Sequence, residues 1–148
     1  NDPVYLVHRR GQGCPDNVGK WSVNCGYINW GETLKGAAVR ELYEETGFTV
    51  FEDKLQYIGY NDPVGDGKEN VTLRFYVNVP KSSLVKALES GQINTDTKSR
   101  GGEDGEISEF KLVPIDESEI DALGEWAFDH DILLKELANH ARLCWLLM

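Results

Sequence analysis

The 148-residue sequence holds only three cysteines, Cys14, Cys25 and Cys144, an odd number with no C-x-x-C pair. That usage excludes a disulfide framework and a cysteine-based zinc site, and it fits a reducing cytoplasm. Apolar runs are short. None approaches the ~20 residues that cross a bilayer, and no charged segment followed by an apolar core opens the chain, so a soluble cytoplasmic protein with no membrane partner is expected. Positive charge is scarce too: 15 Lys and Arg face 25 Asp and Glu, a net charge of −10 with a pI near 4.7. This balance argues against a nucleic-acid binder that works by neutralising phosphates, although metal ions can still bring in a polyanion locally. Free nucleotides are the better ligand class. Internal repeats and linkers are absent as well. With 41% hydrophobic residues and four Trp, the chain can bury one good core, and a single domain over residues 1–148 is expected. The chain runs from Asn1 almost at once into the strand-like VYLVHRR, so a first strand is expected upstream of residue 1.

Negative charge is concentrated in GETLKGAAVRELYEETGF, residues 31–48. At 100° per residue, Glu41, Glu44 and Glu45 fall within one arc of about 100°, beside an arc carrying Ala38, Leu42 and Val39. One face packs; the next carries three carboxylates. Like charges three and four residues apart cost a few tenths of a kcal/mol per pair when exposed and more when buried, so a positive partner belongs there. A solvated acidic face is the common alternative. Thr33 is placed to cap the helix start and Gly47 to end it in a left-handed conformation. Upstream, KWSVNCGYINWGE reads as a short strand at Trp21 to Val23 followed by a turn through Cys25 and Gly26. Clustered carboxylates with few His or Cys nearby suit a hard, oxygen-seeking cation such as Mg2+ or Mn2+, which in turn suggests a phosphate-bearing substrate.

The rest of the chain alternates. A strand is predicted at Val4 to Arg9, a loop at GQGCPDNVGK, and extended runs at Phe48 to Phe51 and Lys54 to Tyr60. A turn-rich NDPVGDGKEN follows, then the alternating strand VTLRFYVNV. Pro80 opens a helix that stops before Gly91. Residues 92–105 form a polar stretch, too long and too hydrophilic for core, of the kind that carries function. EISEFKLVPIDE reads as a strand, DESEIDAL as a short helix, and a last amphipathic helix starts near Asp129. Strands on both sides of a helix, with further helices at the end, suggest a mixed sheet between helical layers.

Gly26, Glu32 and Arg40-Glu41-Leu42-Tyr43-Glu44-Glu45-Thr46-Gly47-Phe48 resemble the signature of the Nudix hydrolases: G, five residues, E, seven residues, then R-E-U-x-E-E-x-G-U, with U apolar. All nine fixed positions match. In the usual extension of that signature Cys25 stands where family members often carry Gly, and Asn29 where they often carry a further Glu. The first change leaves a backbone carbonyl in place; the second removes an acid and bears on the number of metals. The resemblance implies an α/β fold, an α/β/α sandwich with a mixed β-sheet between helices. It also implies hydrolysis of a nucleoside diphosphate linked to another group.

Carried over position by position, the resemblance makes Glu44 and Glu45 the principal metal ligands, with Glu41 a ligand that also orients or deprotonates water, and the Cys25 carbonyl completing the shell. Mg2+ is the implied cofactor, with Mn2+ able to substitute. Arg40 lies on the flank of the carboxylates and can fix their geometry through charge-assisted hydrogen bonds. A fourth acid, ligand or base, is expected from RGGEDGEISEF, Glu106 first and Glu103 second. Arg9, Arg10 and Lys20 are candidates for phosphate, although a basic strand end is more often surface, and Tyr27 and Trp30 are candidates for stacking on a base, each as readily a packing residue. His130 at a helix start reads as structural, and neither His8 nor His140 shows a ligand pattern. Pro63 lies fifteen residues beyond Phe48, a spacing similar to that in ADP-ribose-hydrolysing members, and favours an ADP-ribose-like substrate over nucleoside triphosphates or dinucleoside polyphosphates. Capped RNA is disfavoured by the net charge. From another class, a non-catalytic nucleotide sensor would show an eroded acidic signature and an added DNA-binding module, neither of which is present. A homodimer is left open.

Overall fold

The structure, a computed structural model, describes residues 3–61 and 71–146, with side chains up to residue 139. Its elements are β1 (Val4–Arg10), β2 (Trp21–Ser22), α1 (Leu34–Thr46), β3 (Gln56–Asn61), β4 (Thr72–Tyr76), α2 (Lys81–Glu89), β5 (Ile107–Pro114), α3 (Glu117–Ala122) and α4 (His130–Leu146). Single 3-10 turns occupy Glu52–Lys54 and Lys98–Arg100.

β1 is the middle strand of an antiparallel sheet ordered β2-β1-β5, and β3 and β4 form a separate antiparallel pair. Where the sequence suggests one mixed sheet, the described strands therefore form two antiparallel ladders. Among the described residues the one parallel contact is an isolated bridge between Trp21 and Trp126. Local pairing accounts for the division: β3 and β4 are consecutive strands that satisfy each other's backbone groups, with a bulge between Tyr57 and Gly59 that adds local twist.

Successive side chains of a strand point to opposite faces, and β1 and β5 use both. Val7 and Val113 join Trp21, Ile120 and Leu134 in one cluster, with Tyr5 and Trp126 against it. Leu6, Phe110 and Leu112 pack instead against Leu84, Ala87 and Ile93. α2 thus contributes to one cluster and α3 and α4 to the other.

α1 begins and ends where local chemistry dictates. The Thr33 hydroxyl accepts the Gly36 amide at 3.0 Å, and Gly47, at φ 83°, donates its amide to the Tyr43 carbonyl. A left-handed residue costs a side chain's steric strain, which glycine avoids.

Several expected boundaries move. The run at Phe48 to Phe51 leads into a 3-10 turn instead of a strand, and β4 stops at Tyr76, three residues before the apolar pattern does. The polar stretch 92–105 is not wholly outside the core: Ile93 and Thr97 are buried. Polarity averaged over the stretch hides two inward positions. The turn at 62–70, Pro63 included, lies outside the described residues.

Candidate functional site

α1 presents its acids to a loop that crosses it, and Arg40 organises the contact. Its Nε lies 2.5 Å from Glu32 Oε1 and its Nη2 3.2 Å from Glu32 Oε2, a fork on one carboxylate. Nη2 also donates to the Tyr27 carbonyl at 2.7 Å. Nη1 reaches Glu41 at 2.8 Å and Glu44 at 3.1 Å. One guanidinium therefore joins three carboxylates and a loop carbonyl, and the Glu32 bonds above all raise its affinity for its proton. Glu32 is itself set by the loop, accepting the Asn29 amide at 2.8 Å. The helix carries its own positive partner.

Glu45 faces a different environment. Its Oε2 accepts the Cys25 amide at 3.2 Å. Burial pushes its carboxyl well above the ordinary range, and the charges of Glu41 and Glu106 push the same way, against the Cys25 amide and Arg10. Burial also raises Glu41, although Arg40 opposes it. Gly26 explains how close the loop comes: a Cβ there would lie 1.9 Å from Glu41 Cδ. Only glycine admits the Glu41 carboxylate against the backbone.

Glu106 comes from the residue before β5 and half-buries its side chain. Its Oε1 accepts the Glu103 amide at 3.1 Å, and its carbonyl accepts the Gly11 amide and the Cys14 thiol. Its charge bears on both Glu41 and Glu45. Glu103 has an exposed side chain and contributes backbone, its carbonyl accepting the Thr97 hydroxyl at 2.5 Å. Of the two acids, Glu106 is the one electrostatically coupled to α1. The Cys25 thiol is pushed up to about 12 by burial and by Glu45; it stays protonated, so Cys25 offers its backbone and not a thiolate.

The basic and aromatic candidates separate. Arg10 is buried, bonded to Asp16 at 3.0 and 3.1 Å, and its guanidinium lies 5.2 Å from the centre of the Phe128 ring. Its charge nevertheless reaches Glu45. Arg9 pairs with Glu109 at 3.2 Å and sits 4.9 Å from the Trp21 ring centre. The Lys20 carbonyl accepts the Arg10 amide, and its side chain is half-buried. Tyr27 is 77% exposed and Trp30 fully exposed, both on the loop that Arg40 holds. Pro63 lies outside the described residues. The concavity of about 280 Å³ lined by Lys81, Ser82, Val85, Lys86 and Glu89 contains none of these groups.

Two residues beyond the sequence candidates shape the site. Glu32 is the main anchor of Arg40, and its place in the spaced motif was the available signal. Arg100 ties residues 94–100 to the end of α1, donating to the Glu44 carbonyl at 3.1 Å and the Asn94 side chain at 2.7 Å. Nothing local marks it, since its partner is 56 residues away.

The donor chemistry suits a hard dication. Glu41, Glu44, Glu45 and Glu106 supply only carboxylate oxygens, and Glu45 lies where burial and two neighbouring acids oppose its ionisation, a penalty that a bound cation relieves. Among the described residues no three His, Cys, Asp or Glu side chains stand together in metal-holding geometry; Arg40 Nη1 engages Glu41 and Glu44.

No curated protein matches the chain. The family model for the NUDIX domain matches residues 1–137. With nearly all of its 148 residues inside that match and the motif acids gathered around Arg40, the chain belongs to the Nudix family.

Proposed function

We propose that the chain is a metal-dependent pyrophosphohydrolase that cleaves the diphosphate linkage of a nucleoside diphosphate derivative, with ADP-ribose-like molecules as favoured substrates. Family membership implies hydrolysis of nucleoside diphosphates linked to a further group, small-molecule nucleotide substrates, and a general need for a divalent cation such as Mg2+. The observation that carries the reading is the convergence of Glu41, Glu106 and the Cys25 amide on Glu45. In our reading Glu41, Glu44, Glu45, Glu106 and the Cys25 carbonyl hold Mg2+ or Mn2+. When bound, the cation supplies neutralisation of the diphosphate and a lowered pKa for an attacking water.

The chain's own groups do the rest. Arg40 sets the carboxylates of Glu41 and Glu44 relative to each other through one nitrogen while Glu32 fixes the guanidinium plane. Glu41, against the Gly26 backbone, or Glu106, held by the Glu103 amide, takes the proton from water. Burial raises Glu41, with the charges of Glu44 and Glu106 adding to it against Arg40, which suits a base working near neutral pH. Tyr27 and Trp30 offer exposed rings to a nucleobase, and Arg10 places a buried positive charge near the acids. The two hydrophobic clusters, one using α2 and the other α3 and α4, support an α/β/α layering within one domain over residues 1–148.

Nucleoside monophosphate release from ADP-ribose, a dinucleoside tetraphosphate and a nucleoside triphosphate at equal Mg2+ tests the proposal. ADP-ribose should have the highest kcat/KM. A triphosphate ahead by about tenfold, equivalent to about 1.4 kcal/mol of transition-state binding, overturns the substrate choice.

A further inference from the structure

His130, at the first turn of α4, is buried and far in sequence from the acidic helix. Its Nδ1 lies 3.2 Å from the Val23 amide nitrogen and 3.0 Å from the Ser22 hydroxyl. A backbone amide can only donate, so Nδ1 is an acceptor and the ring proton resides on Nε2. The bonds fall on the last residue of β2 and the first residue after it. Two residues further on, the Cys25 amide binds Glu45, and next to it Gly26 backs the Glu41 carboxylate. At Tyr27 the same loop meets its second clamp, Arg40 Nη2 at 2.7 Å. The segment from Asn24 to Gly26 is therefore suspended between two side chains, His130 before it and Arg40 after it.

The imidazole is held firmly enough to serve as such a clamp. Trp21 exchanges backbone bonds with Glu125 and Ala127 at 3.0 and 2.8 Å, which lashes β2 to the approach of α4. Asp129 pairs with Arg74 of β4 at 2.5 Å. Phe128, at φ 54°, turns the chain into the helix and sets its ring, tilted by 55°, with its centre 5.3 Å from that of the imidazole. A non-glycine residue in that conformation is strained and persists where the surroundings enforce it.

We infer that His130 is a positioning residue for the acidic site: by accepting the Val23 amide it fixes the course of Asn24 to Gly26, and so the seat of the Glu45 and Glu41 carboxylates. The role rests on the metal-dependent reading above. It touches neither substrate nor cation; it acts through the loop.

The test uses His130→Asn, whose side-chain oxygen falls near the place of Nδ1 and can accept the Val23 amide, against His130→Gln, whose oxygen falls near Nε2 and cannot. Both retain a polar side chain of similar bulk. Amide hydrogen exchange at Val23 and Cys25 reads the loop directly, and calorimetry with Mn2+ reads the acids without turnover. His130→Gln should lose protection at both amides and bind Mn2+ about tenfold or more weakly, as expected when the support of a ligand shell is removed, with kcat falling and KM little changed. His130→Asn should recover protection and bind within about threefold of the wild type. Equal behaviour of the two variants, or unchanged exchange in His130→Gln, overturns the role while leaving the metal reading intact. A wild-type protein that binds no Mn2+ overturns the metal reading first, and the positioning role with it.

Discussion

Arg40 grips Glu32 with two nitrogens, at 2.5 and 3.2 Å, and leaves only Nη1 for Glu41 and Glu44. The fork restrains the guanidinium, so Glu32 controls acids it does not touch. Glu32→Gln keeps the shape and removes the charge that holds Arg40. Metal affinity and kcat should each fall about tenfold or more, the usual effect of losing a supporting partner. Calorimetry and steady-state kinetics check this; an unchanged kcat would mean that Arg40 is held adequately by the Tyr27 carbonyl and the α1 acids alone.

A side chain at Gly26 should displace the Glu41 carboxylate. Because a Cβ would fall 1.9 Å from Glu41 Cδ, Gly26→Ala must push the carboxylate or the loop away. A misplacement near 1 Å can cost about 100-fold in rate. The expected result is a folded protein, by circular dichroism, with kcat reduced to that degree; a rate within twofold of wild type contradicts the close approach.

Glu106 and Glu103 should part company. Glu106→Gln removes the charge felt by Glu41 and Glu45, and kcat and kcat/KM should fall together. Glu103→Gln keeps the amide that binds Glu106 and should behave nearly as wild type. The reverse order would transfer the role to Glu103.

How far the sequence carried these conclusions depended on the range of each interaction. The ends of α1 were legible because Thr33 and Gly47 act on backbone within four residues. The grouping of Glu41, Glu44 and Glu45 followed from helix periodicity, whereas whether Tyr27 and Trp30 pack or stand free was open in the sequence, and both rings are exposed. Arg10 read as surface and is buried, because a strand's alternation says which residues share a face but not which face meets Asp16 and Phe128. The Arg100 and His130 contacts join positions 56 and 107 apart; no local pattern records them. Ile93 and Thr97, buried inside a polar stretch, were missed for the same reason.

His8 and His130 should make the protein acid-sensitive. Burial lowers His8 to about 3, with Arg10 adding to it, and burial lowers His130 to about 4, with Arg74 and Arg10 adding and Asp129 opposing. At these two sites the unfolded state, with ordinary histidines near 6.5, binds more protons than the native state below that pH, so their contribution to stability falls as pH drops from about 6.5 toward 4. Each histidine contributes up to about 1.4 kcal/mol per pH unit in that window. The raised carboxyls of Glu45 and Glu41 act in the opposite direction over the same window, so urea unfolding between pH 7 and 5 is read as the difference between proteins. His130→Asn should change the slope by about one proton's worth relative to the wild type; an unaltered slope would mean that His130 is already protonated in the fold.

The most direct measurement is Mn2+ titration by calorimetry of the wild type and of the Glu44→Gln/Glu45→Gln double variant, with thermal unfolding of each in the absence of metal. Helix propensity and size are kept in the variant, and the burial penalty and the repulsion that raise Glu45 are both relieved, which offsets the lost Arg40–Glu44 pair, so the metal-free variant should melt close to the wild type. Its Mn2+ affinity should collapse. Mn2+ binding undiminished in that double variant would contradict the assignment of the acidic face of α1 as the metal site.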